Sequence, residues 1–221
     1  MKSRVLSIIA IVAMLAGLAA AQTSTDKAFM NPANLKEKAP DVFKANFDTS
    51  AGQFVIEVHR AWSPNGADRF YNMVKTGFFD DCRFYRVVPG FMAQFGLPGD
   101  PKVTTAWSSP AAVLQDDPVK ERNIRGYVSF AARGVKNSRG TQLFINFGDN
   151  AQSLDPLGFS PIGRVISGMG VVDKLYSGYG DIAEQGNAKG PRQGRASTEG
   201  NAYLAKEFPK LDYIKKATIA Q

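Results

Sequence analysis

FYRVVPGFMAQFG, residues 84–96, decides how this chain is read, and GTQLFINF, residues 140–147, is its partner. The first stretch sets one cation, Arg86, on an apolar strand, turns at Pro89-Gly90 and resumes with Phe91, Met92 and Gln94. The second carries Gln142 and Phe144 two residues apart. Successive side chains of a strand point to opposite faces, so that pair shares one. A cation and two amides over a floor of Phe and Met is costly to bury in a plain core, because polar groups taken from water need partners. It suits a groove that holds an apolar ring and acts on an amide beside it.

Working outward, Phe43, Ala45 and Phe47 alternate with Lys44, Asn46 and Asp48, and Phe54, Ile56 and Val58 with Val55, Glu57 and His59. This predicts strands over 42–48 and 53–59, a hairpin around Thr49-Ser50-Ala51-Gly52 with one buried face. Ser63-Pro64 predicts a helix start, with Ser63 as N-cap and Pro64 at the first position. Ala67, Phe70, Tyr71 and Val74 keep the helical period, and Gly77 ends it. Further strands are predicted at 83–88, 92–95, 127–132, 142–147 and 161–166, with a short second helix at 171–176. A short helix at 202–207 and a strand near 213–219 close the chain. Residues 97–120 and 177–200 read as loops, and the Gly/Lys/Arg stretch 186–195 as solvated. Many short strands with two principal helices and no βαβ repeat predict a mainly β fold, a closed antiparallel barrel. The barrel domain is expected over 41–221, with the polar segment 22–40 as a linker.

Lys2 and Arg4, the apolar run 5–18 and Ala19-Ala20-Ala21 have the parts of a secretory signal peptide over 1–21, cleaved after Ala21. The apolar run is shorter than the roughly 20 residues a membrane span needs. A periplasmic or secreted protein with no stable membrane insertion is therefore expected. The formal net charge is +7, and the basic residues are spread rather than clustered, which argues against nucleic acid as a partner. With one Cys (Cys82) and one His (His59), Zn sites, Ser-His-Asp triads and Cys-His pairs are excluded. Cys82 reads as a buried, inert thiol and His59 as a surface or sheet-edge residue.

Four blocks together resemble one known family, the cyclophilins, the cyclosporin-binding class of peptidyl-prolyl isomerases. FYRVVPGFMAQFG resembles its signature. GYVSFAARG (126–134) and GTQLFINF resemble its second and third blocks. Leu154-Asp155 followed by SPIGRVISGMGVVDKL (160–175) resembles the fourth. The resemblance spans about residues 41–176 and implies an eight-stranded barrel capped by two α-helices. It implies that Arg86 is the catalytic arginine, with Gln94 steering it and Phe91 beside it. Met92, Phe144, Leu154 and Phe159 would join Phe91 as walls of a proline pocket. Gln142 would be a second polar contact, and Ala131, Ala132 and Arg133 the edge along which substrate backbone runs.

The implied activity needs no cofactor, nucleophile or metal. Rotation about a peptide bond is opposed by amide resonance, with a barrier of about 18–20 kcal/mol. At X-Pro bonds the isomers are close in energy but exchange over tens of seconds or longer. A catalyst has only to bind the twisted amide better than the planar ones. Arginine suits this because it stays charged and its donors are rigid. The resemblance thus implies a monomeric isomerase that acts on proline-containing polypeptides and assists folding of exported proteins. Some positions depart from the family. Ser153 stands where many members have tryptophan, which implies weak cyclosporin binding. Phe159 stands near a common histidine, and Arg133 replaces a small residue. Two rival functions share the same residues: a non-catalytic proline-peptide-binding chaperone, and an envelope scaffold.

Overall fold

The structure, a computed structural model, describes residues 27–220. The expected signal peptide, 1–21, and its cleavage point lie outside the described residues. Strands β1 (Val42–Thr49) and β2 (Gly52–His59) form the predicted hairpin, with Phe43, Ala45, Phe47, Phe54, Ile56 and Val58 inward. Its turn is tied by Thr49, whose hydroxyl donates to the Gly52 carbonyl (2.6 Å) and accepts from the Ala51 N–H (3.2 Å). The remaining strands are β3 (Arg86–Val88), β4 (Met92–Phe95), β5 (Tyr127–Phe130), β6 (Leu143–Asn146), β7 (Pro161–Ser167) and β8 (Ile214–Ile219). All eight lie in one curled sheet, order β3-β4-β6-β5-β7-β2-β1-β8, with every pairing antiparallel.

The edge strands β3 and β8 share no ladder. Residues just before them meet through a single bridge, Arg83 to Tyr213, and three neighbouring backbone hydrogen bonds. Inside the curl a cluster of phenylalanines is close-packed. Phe47 stacks on Phe54 at 4.9 Å, and Phe70, Phe79, Phe84 and Phe95 lie around them, all fully buried. Large rings supply much apolar area per residue, which suits a core this small. Cys82 lies in this core, and burial pushes its thiol well above the usual range, as expected of an inert cysteine.

Two principal helices are expected from the sequence; five α-helical segments form among the described residues. Helix α1 (Pro64–Lys75) begins at the predicted proline and packs on β7 and β8. Its cap differs from the expectation. The Ser63 side chain does not cap the helix but donates to Asp117 Oδ2 (2.6 Å). The Asp117 carboxylate then accepts from the N–H groups of Asn65 (3.1 Å) and Gly66 (2.9 Å). A carboxylate at a helix N-terminus satisfies free donors and meets the positive end of the helix dipole. The buried Arg139 guanidinium, 3.1 Å away, balances its charge.

Helix α2 (Pro101–Trp107) lies in a stretch read as loop. Pro101, a breaker inside a helix, is here at its first turn, and Asp100 caps it through the Lys102 N–H (2.9 Å). Two short helices follow, α3 (Ala151–Leu154) and α4 (Met169–Val172). The last of these starts two residues before the predicted 171–176 and stops sooner.

Helix α5 (Gln193–Glu207) overruns the expected 177–200 loop. Gly200 breaks it with φ 61° and ψ −145°, a conformation open to glycine, and a Cβ there would strike the Gly99 carbonyl. The break lets the Asn201 N–H donate to that carbonyl (2.9 Å) and docks α5 on α2. Residues 177–211 thereby form a second apolar cluster in which Ile182, Ala196, Tyr203, Leu204 and Leu211 surround Tyr85 and Leu97. Residues 27–40, read as a linker, are held on the domain. Phe29 is buried edge-on to Phe78 (6.0 Å), and its carbonyl accepts from Trp107 Nε1 (2.8 Å).

Candidate active site

Register builds the site. Arg86 pairs with Gln94 across β3 and β4, and Gln94 with Phe144 across β4 and β6. Directly opposite residues share a face, so cation, amide and ring form one row. Met92 and Gln142 lie two residues along their strands and join the same face. The alternate residues Val87, Ala93, Phe95, Leu143 and Ile145 face the core. Both faces of β4 and β6 are therefore covered, and all their residues are buried.

The row floors a cavity of about 550 Å³. Arg86, Phe91, Met92 and Gln94 line it from β3, β4 and the turn between them, and Gln142 and Phe144 from β6 and the residue before it. Ala131, Ala132 and Arg133 line one rim; Leu154 and Phe159 close the far wall. The structure thus brings all eleven predicted site residues to one cavity. Met92, Phe144 and Leu154 form a buried apolar cluster of their own, with Val88, Phe91, Ala131 and Phe159 packed against it. Phe159 meets Phe144 edge to face at 5.7 Å. Ser153 does not line the cavity; its hydroxyl turns back to the Asn150 carbonyl (3.1 Å).

Polar groups are chained along one side. Arg86 Nη1 donates to Gln94 Oε1 (3.1 Å), and Gln94 Nε2 donates to Gln142 Oε1 (2.9 Å). The Tyr85 hydroxyl also donates to Gln142 Oε1 (2.5 Å). Burial pushes the Tyr85 phenol well above its usual range, so it stays a neutral donor. These contacts consume the Gln142 oxygen and orient its amide group. The guanidinium of Arg86 lies 5.9 Å from the Phe91 ring centre.

Several residues at the site carry no signal in the local sequence. Asn123 is fully buried; its Nδ2 donates to Asp155 Oδ1 (2.7 Å) and the Phe159 carbonyl (2.7 Å), holding the far wall. Asn150 Nδ2 donates to the Phe91 carbonyl (2.9 Å) and braces the turn after β3. The cavity extends under α2 past Trp107. There Arg69 holds the carbonyls of Gly140 (3.1 Å) and Ala112 (2.8 Å). Burial and the nearby Arg139 lower the Arg69 pKa to about 10, so it remains a cation at neutral pH.

The segment read as solvated loop reaches the site as well. Asp181 accepts from Arg86 Nε (2.6 Å) and Nη2 (3.2 Å), and Gln193 Nε2 donates to Gln142 Oε1 (3.3 Å). Their only sequence cue is a polar stretch inserted ahead of the last strand, and composition alone cannot place such a stretch.

Residues 44–195 match the family model described as cyclophilin type peptidyl-prolyl cis-trans isomerase/CLD. Over 130 residues the chain is 34% identical to "Peptidyl-prolyl cis-trans isomerase A" of Dickeya dadantii, covering 58% of this chain and 67% of that protein. It is 31% identical over 152 residues to a "Probable peptidyl-prolyl cis-trans isomerase" of Brucella abortus, covering 63% and 74%. A solved cyclophilin-type isomerase of Cryptosporidium parvum shares the fold, with TM-score 0.56 over 81% of this chain and 98% of that one at 18% identity. The same protein has also been solved in the presence of the dipeptide Ala-Pro. Signature strands, groove and relatives agree, and the chain belongs to the cyclophilin-type peptidyl-prolyl cis-trans isomerases.

Proposed function

We propose that Arg86 is the group that lowers the barrier to X-Pro rotation in this isomerase, and that Phe91, Met92, Phe144, Leu154 and Phe159 grip the proline ring. The observation that carries this reading is the Arg86–Gln94–Phe144 row: a held cation beside an apolar floor in a cavity of about 550 Å³. As the amide twists, its nitrogen loses resonance and gains a lone pair. Arg86 has five N–H donors. Asp181 and Gln94 engage three of them, one on each nitrogen. Each terminal nitrogen keeps one donor for the substrate. A donor already in place favours the twisted amide without reorganising during the reaction, the same logic as an oxyanion hole. Gln94 steers the arginine. Ala131, Ala132 and Arg133 offer a rim for the extended backbone, and Gln142 a further polar contact.

The substrates are proline-containing polypeptides, and the Ala-Pro dipeptide used with the Cryptosporidium relative supports that chemistry. The charged start, apolar run and Ala triplet support export, hence folding assistance in a periplasm or outside the cell by a monomeric, cofactor-free enzyme. The bridge from Arg83 to Tyr213 supports reading the curled sheet as a closed barrel. The test is a proline-peptide isomerisation assay on the mature chain beside Arg86→Ala. The variant should lose about 10²–10³-fold in kcat/KM, as when one preorganised donor is removed. A variant that isomerises at the parent rate refutes the assignment.

A further inference from the structure

The catalytic arginine of this chain is gripped from both sides, and one grip comes from outside the signature strands. Gln94 takes one Nη1 hydrogen from within the row. Asp181 takes the Nε edge from a segment 95 residues further along the chain. The Asp181–Arg86 contact is a two-point pair, 2.6 and 3.2 Å, between partly buried side chains, 26% and 19% exposed. Paired N–H···O bonds of this kind set the plane of a guanidinium as well as its position.

Asp181 is itself braced. Its Oδ1 accepts from the Ile182 N–H (2.7 Å), and its carbonyl from the Gly190 N–H (3.0 Å). The Ala183 N–H donates to the Pro191 carbonyl (3.2 Å). Ile182 is anchored in the second apolar cluster against Tyr85, the neighbour of Arg86. A carboxylate tied through its side chain and its carbonyl, beside buried Ile182, is set to hold the guanidinium in place.

We propose that Asp181 is a positioning residue for isomerisation: it fixes the plane of Arg86 so that the remaining N–H donors on the two terminal nitrogens point at the substrate amide. Residues 177–193 are then a working part of the active site. This rests on Arg86 as the catalytic group. A floppy guanidinium would lose orientation when the amide twists, and small misplacements of a catalytic group can cost up to about 10²-fold in rate. Arg86 would still be present, so ground-state binding in the apolar pocket should change little.

The experiment measures kcat and KM for proline-peptide isomerisation by the parent chain, Asp181→Ala, Asp181→Asn, Arg86→Ala and the Asp181→Ala/Arg86→Ala double variant. Asp181→Ala should lower kcat about tenfold or more with KM within about twofold. Asp181→Asn keeps one oxygen, which in the place of Oδ1 can accept from both Ile182 and Arg86 Nε but loses the acceptor for Nη2, and should fall between it and the parent. It also serves as the deciding variant if the alanine change unfolds the segment. The double variant should be no slower than Arg86→Ala alone, since Asp181 acts through that residue. In ¹⁵N spectra of the folded variants, the Arg86 Nε–H resonance should be slowly exchanging in the parent and lost in Asp181→Ala. Parent-like or faster turnover in folded Asp181→Ala and Asp181→Asn overturns the proposal. Parent activity in Arg86→Ala would instead refute the assignment of Arg86 on which it depends.

Discussion

Gln94 lies directly opposite Arg86 across the β3–β4 pair and joins it to Gln142: its Oε1 accepts from Arg86 at 3.1 Å and its Nε2 donates to Gln142 at 2.9 Å. The side chain is 5% exposed, so neither contact is easily replaced by water. Both amide ends are used, and in opposite senses. A group of the same size without the amide would strand a donor on Arg86 and take one of three donors from the Gln142 oxygen, which keeps Tyr85 and Gln193.

Gln94→Leu should therefore cut kcat/KM by about tenfold or more, mainly through kcat, because it disturbs an orientation rather than the apolar pocket. It should also cost about 1–3 kcal/mol of stability by leaving the Arg86 Nη1 donor without its partner. Steady-state kinetics and urea unfolding of one preparation check both.

The Asp117–Arg139 pair holds α1 to the floor of the extended cavity, and both side chains are almost wholly buried, 3% and 2% exposed. Removing Asp117 takes away the buried partner of Arg139 and leaves its charge to Asp116, a partly exposed carboxylate 3.2 Å from Nε. Asp117→Ala should cost about 3–5 kcal/mol in denaturant unfolding. Arg139→Met in the Asp117→Ala background should recover part of that loss, because an apolar replacement removes the stranded charge.

Phe29 ties the segment ahead of β1 to the domain through Phe78 and Trp107. Phe29→Ala should destabilise the chain by about 3–5 kcal/mol, the usual cost of emptying a buried ring site. Isomerase activity of the folded fraction should be unchanged. Thermal melting with a parallel assay separates the two.

Asp68 links stability to acid pH. Burial alone would raise its carboxyl, but hydrogen bonds from Arg60 (2.8 and 2.9 Å) and the Ala39 N–H (2.9 Å) outweigh it and hold the pKa below the ordinary value. The unfolded chain then binds more protons than the folded one in acid, so stability rises with pH there. The contribution is present above the unfolded carboxylate value of about 3.9 and is lost as pH falls through the lower folded value. In urea titrations across that window Asp68→Asn should show a shallower acid loss than the parent. Identical slopes would remove Asp68 from the account.

Much of the fold is legible along the chain because strand geometry is local. Alternation over 42–59 marks the hairpin and its buried face, and Gln142 and Phe144 share a face because strands have a period of two. The eleven residues read as a site meet at one cavity because the signature segments are adjacent strands of the sheet. The helices near Pro101 and Gln193 are obscured, since their proline, glycines and polar residues are also what loops are made of. Ser63 is a sound cap by local rules, but a carboxylate 54 residues away reaches the same donors and takes the position.

FYRVVPGFMAQFG therefore carries within itself the cation, the turn, the amide paired with that cation and the order in which they face the groove, because each follows from neighbours two to eight residues apart. That Asp181 grips the far edge of Arg86 is written nowhere near it. The contact exists because Ile182 is buried against Tyr85 and Leu97 and because Gly200 lets α5 dock beside α2. It depends on apolar packing between distant segments, which no local periodicity encodes.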